Sequence, residues 1–134
     1  MHTQRIECHL TEESLQDELA FWKRLLHLEQ WDIVARIARG NGLDLPEQVQ
    51  GRCNWTISRH EALIRIMNPI DWDKGIIFPQ DMEATLVHEL LHLHLAPFDN
   101  FKSDTAEDNA LEQAIHHLSL ALVSLRRAGK VDAK

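Results

Sequence analysis

The stretch "TLVHELLHLHLAPF", residues 85–98, decides how the chain is read. It holds three histidines and one glutamate within seven residues, in a run that is otherwise almost all leucine. Asp81 follows Pro79 and is placed to cap a helix from 82 to about 96, which Pro97 closes. On a helix, residues four apart share a face, so His88 and His92 can aim their imidazoles at one ion. Glu89 lies about 100° further round. It cannot easily bind the same ion, but it can hold a water beside it and take its proton. Leu86, Val87, Leu90, Leu91 and Leu93 supply a dry surround. HExxH fixes only three positions, and chance matches on surface helices are common. This helix reads as buried, where unpaired imidazoles and a carboxylate are costly, and a metal site removes that cost. The expected metal is Zn2+, with His88 and His92 as ligands.

A catalytic zinc takes three protein ligands and keeps one position open. A third His ten residues after the first would fall on Phe98, and Leu95 stands where that pattern needs a turn glycine. An Asp from the following loop could come from Asp99 or Asp104, but the glycine-containing turn is absent. The remaining source is the next helix, which offers Glu107 and Glu112. Glu107 lies near the helix start, where the dipole alone explains an acid. Glu112 stands mid-helix beside the apolar stripe, with Ala114 small enough for close helix packing. Glu112 is the expected third ligand and Glu107 the alternative. His94 is two residues past His92 and points away from the His88–His92 face.

Outward from this helix the chain reads as α+β. Residues 11–28 repeat Leu15, Leu19, Trp22, Leu25 and Leu26 at helical spacing, with Thr11 as N-cap. "WDIVARIAR", 31–39, alternates and predicts a strand ended by "GNG". "GRCNWTIS" and "EALIRIMN" predict two more strands, paired as an antiparallel hairpin around Arg59 and His60. The expected sheet is three-stranded and mostly antiparallel. Ser103 or Asp104 is expected to cap a last helix reaching about Ala128, with Gly129 at its C′ position. Its apolar stripe is read as Leu111, Ile115, Leu118, Leu122 and Leu125.

The 134 residues suit one domain, 1–134. The formal charge of −7 disfavours nonspecific nucleic-acid binding, which relies on neutralising phosphates. Cys8 and Cys53 show no CxxC spacing and read as free thiols. "MHTQRIECHLTEES" has no apolar leader, and no run approaches the ~20 apolar residues of a membrane span. These features predict a cytoplasmic protein without membrane contacts.

HELLH followed by "EQAIHHLSLAL" resembles the gluzincin pattern of zinc metallopeptidases. The order of elements over about 11–125 is similar to minimal gluzincins, namely the SprT-like and ImmA/IrrE-type peptidases of phage and bacterial genomes. The resemblance implies His88, His92 and Glu112 as zinc ligands, Glu89 as general base, and a protein or peptide substrate. Many gluzincins stabilise the oxyanion with Tyr or His. This chain has no Tyr, so His116, one turn after Glu112, is the candidate, with His117 and His94 as alternatives. The basic or zinc-ribbon segment of DNA-acting SprT-like proteins is missing. Strands 52–67 could offer an edge for peptide pairing, and Trp72 a rim to the site. A different class of function is a zinc-stabilised, non-catalytic, phage-encoded binding module that docks a protein partner. A metal-dependent nuclease is disfavoured by Phe98.

Overall fold

A computed structural model describes residues 5–132. The first four residues of the N-terminal stretch searched for a leader lie outside the described residues. Helix α1 spans Glu12–Leu25, strands β1, β2 and β3 span Asp32–Ala38, Gly51–Thr56 and Glu61–Met67, and helices α2 and α3 span Met82–Leu95 and Ala106–Arg127. The α+β expectation holds in element order and type. Among the described residues no helix is long and apolar enough to cross a membrane.

The sheet order is β1-β3-β2, with β2 antiparallel to β3 and β1 parallel to it. The hairpin is as expected, but the sheet is mixed rather than mostly antiparallel. The reason lies in β3. Its Ile64 and Ile66 are fully buried, so it takes the central position, while β2 buries little beyond Cys53 and takes an edge. Segment 39–50 carries the chain past the place β3 will fill, which leaves β1 and β3 pointing the same way. In the hairpin turn His60 adopts a left-handed conformation and stacks on Trp31 at 4.7 Å.

Helix α2 lies under the sheet with Leu86, Val87 and Leu90 fully enclosed. Burying such a side chain contributes roughly 1.5–3 kcal/mol. Asp81 caps it as expected, accepting from the Ala84 amide at 3.1 Å. Thr11 caps α1 and forms a reciprocal pair with Ser14.

Two expectations for α3 are corrected. Its N-cap is Thr105, whose hydroxyl accepts from the Asp108 amide at 3.2 Å, not Ser103 or Asp104. Asp104 holds a positive φ of 61°, outside the cap conformation. Leu118 and Leu125 are about half exposed, while Ile115, Ser119 and Val123 are buried. The inward face is therefore turned by one residue from the leucine count, and Ala114 faces outward. Gly129 takes the C′ position at φ 73° as expected.

A buried polar knot fixes α2 against α3. Arg127 clasps Asp81 with two hydrogen bonds, at 2.8 and 2.9 Å, and reaches Glu83 at 3.1 Å. Arg126 bonds Glu83 at 2.6 Å and also Glu18, and its guanidinium lies 3.6 Å over the Phe21 ring. Trp22 donates its indole N–H to Glu83 at 2.9 Å. Read in sequence, Asp81 is only a helix cap. In the fold Asp81 and Glu83 tie the start of α2 to the end of α3, so the middle of α3 lies beside His88 and His92.

Candidate metal centre

His88, His92 and Glu112 meet where α2 faces α3. One ligand atom from each lies within 4.8 Å of the others. The Nε2 atoms of His88 and His92 stand 3.1 and 3.0 Å from the two oxygens of Glu112. The histidine side chains are 21% and 11% exposed and Glu112 is 44% exposed, so the group is walled by α2 and opens past Glu112. The hydrogen bonds from His88 and then His92 hold the Glu112 carboxyl far below the usual carboxylate range. Burial would weaken proton binding at His92, but the Glu112 hydrogen bond and the Glu89, Glu112 and Asp99 charges outweigh it and raise its pKa.

Two imidazole nitrogens and a carboxylate oxygen form a donor set suited to Zn2+. The fit has one gap, because His92 Nδ1 is buried without a hydrogen-bond partner, where metal-ligating histidines usually donate. The Trp55 ring stacks on the His92 ring with centroids 6.1 Å apart, covering a face of the imidazole. The three side chains could hold a metal ion.

Glu89 stands beside this group and outside it. Its burial raises the carboxyl pKa, with His88 and His92 pulling the other way. It lies against the edge strand, with Oε2 3.1 Å from where a Cβ on Gly51 would stand. A side chain there would also meet Thr85 at 2.6 Å, so Gly51 is what lets β2 approach the helix. This close approach was not foreseen from the sequence. A glycine opening a strand just before an alternating run is the signal that could have shown it.

Glu89 and His88 divide the surrounding space into two lobes. One, of about 250 Å3, is lined by Arg5, Gln48, Gln50, Thr85, His116 and Ser119. The other, of about 400 Å3, is lined by Arg52, Cys53, Trp55, His92, Ser103 and Glu112. Cys53 is no nucleophile there, since burial and then Glu89 push its thiol up to about 12.

Comparison with protein-family models, curated proteins and solved structures finds no match.

The remaining sequence candidates separate cleanly. His116 lines the smaller lobe, its ring 6.4 Å from that of His88, and burial followed by the His88 and Arg5 charges lowers its pKa. His117 is exposed and touches the His116 ring at 5.5 Å. His94 points away, with Nε2 2.5 Å from the Leu26 carbonyl at the end of α1. Glu107 is exposed, and neither it nor Asp99 or Asp104 joins the group. Trp72 is half-buried beneath Arg5, 5.7 Å from its guanidinium, but it lines neither lobe and instead lines a separate cavity with Pro69 and Pro79, so the structure does not make it a rim of the site.

Proposed function

We propose that the protein is a zinc-dependent peptidase of the minimal gluzincin type. The observation that carries this reading is the meeting of His88, His92 and Glu112 with the buried Glu89 at their side. Three ligands rather than four among the described residues suit an open, catalytic site. The HELLH pattern and the order of elements, which resemble the minimal gluzincins, support the same reading.

When bound, Zn2+ acidifies a water and polarises the carbonyl under attack. Glu89 is the general base, taking the proton from the attacking water and passing it to the leaving amine. Burial raises its pKa in the metal-free site, which favours accepting that proton. His116, in the adjoining lobe, offers an imidazole N–H to the developing oxyanion. The free edge of β2 offers backbone groups for pairing with an extended peptide.

Metal analysis of the wild type and Glu89→Gln tests the reading. Both should hold one zinc per chain. The variant should lose hydrolysis of an unstructured protein substrate by roughly 10²–10⁴-fold. A wild-type protein that takes up no divalent metal sinks the proposal. A metal-loaded wild type that cleaves nothing leaves the zinc-stabilised binding module in its place.

A further inference from the structure

The smaller lobe beside Glu89 carries a cation that the zinc reading does not use. Arg39, Arg126 and Arg127 each rest on a carboxylate. Arg5 has no carboxylate partner among the described residues. Its Nη2 donates to the Pro79 carbonyl at 3.1 Å, its Nε is buried with no partner, and Trp72 lies beneath it at 5.7 Å. The Pro79 carbonyl and the Trp72 ring thus hold the guanidinium in place at the lobe wall. Gln48 and Gln50 line the same lobe, and among the described residues its only acid is Glu89. A partly enclosed guanidinium with donors to spare is stabilised by an anion, and carboxylate matches its planar fork. The lobe, at about 250 Å3, falls below the usual ~300–1,000 Å3 of small-molecule pockets, so it takes a short piece of chain.

We propose that Arg5, assisted by the amides of Gln48 and Gln50, receives a carboxylate of the bound peptide in the lobe next to Glu89. The proteolytic reading supplies the peptide as ligand, whereas carboxylate capture by Arg5 stands or falls independently of catalysis. The carboxylate can come from the end of the chain or from an acidic side chain.

The test is calorimetric titration of three N-acetylated tripeptides into metal-free and zinc-loaded protein. The first is trialanine with a free C-terminus, the second is its amide, and the third is an amide with central glutamate. At least one carboxylate peptide should bind about 10-fold or more tighter than the neutral amide in both forms of the protein, as expected for charge-assisted hydrogen bonds. Which one binds tighter names the source of the carboxylate. Arg5→Gln should abolish the preference, Arg5→Lys should keep part of it, and Gln48→Ala should reduce it. Equal binding of all three peptides by the wild type overturns the proposal. So does a preference that survives Arg5→Gln, including one seen only with zinc, which would place the carboxylate on the metal. An Arg5-dependent preference in a protein that hydrolyses nothing keeps this inference and removes the peptidase reading.

Discussion

Glu89 Oε2 lies 3.1 Å from the position a Cβ would take on Gly51, so the proposed base and the edge strand share one close contact. Gly51→Ala should crowd both Thr85 and Glu89. Thr85 cannot turn aside freely, because its hydroxyl bonds the Asp81 carbonyl at 3.1 Å. The variant should lose about 1–3 kcal/mol of stability in denaturant unfolding. Hydrolysis should fall by roughly tenfold or more while zinc uptake is unchanged, since a displaced base loses alignment.

Glu112 and Glu107 are separated by metal affinity. Glu112→Ala should weaken zinc binding by more than ~100-fold, beyond the range usual for partners outside the ligand set. Glu107→Gln should leave affinity unchanged. A competitive chelator titration reads both, and equal effects would exclude Glu112 as the third ligand.

Acidity should act in opposite directions on the two forms of the protein. His92 binds its proton more tightly in the fold than at its ordinary value of 6.5. In the metal-free protein this stabilisation is complete below that value and is lost as pH rises through the raised folded pKa. Metal binding needs the deprotonated imidazole. As pH rises above about 6.5 the His92 contribution to the stability of metal-free protein should therefore fall, against the opposite contribution of His116 with its lowered pKa, and the added stability from zinc should grow. Parallel thermal scans check the crossing.

The Asp81–Arg127 clasp predicts a large structural effect. The Asp81 side chain is fully enclosed and Arg127 is 24% exposed. Asp81→Ala removes the helix cap and leaves the guanidinium with Glu83 as its remaining carboxylate, and should cost about 3 kcal/mol, the low end for a broken buried pair. Asp81→Asn keeps an oxygen for the Ala84 amide and should cost less. Denaturant unfolding of both variants orders them.

His94→Ala should cost about 1 kcal/mol through the lost bond to the Leu26 carbonyl. Zinc affinity should not change. A fall in affinity would place His94 in the metal site.

Helix periodicity alone pairs His88 with His92 and turns His94 away, because a residue's direction on a helix depends only on its place in the local repeat. The caps at Thr11 and Asp81 and the hairpin of β2 and β3 were legible for the same local reason. The α3 face was harder to read. Its leucines at 118 and 125 mimic a stripe, and only packing against α2 shows that Ser119 and Val123 take the inward places.

The sequence by itself therefore determined the local pieces: the α2 histidine pair, the Glu89 offset, and the kinds and order of the elements. Only the tertiary structure decided that β1 runs parallel to β3, that Glu112 rather than Glu107 reaches the histidines, and that Gly51 and Arg5 border the same site. Each of these joins residues far apart in the chain. Such contacts are chosen by which faces bury most completely, and no short repeat in the sequence records that competition.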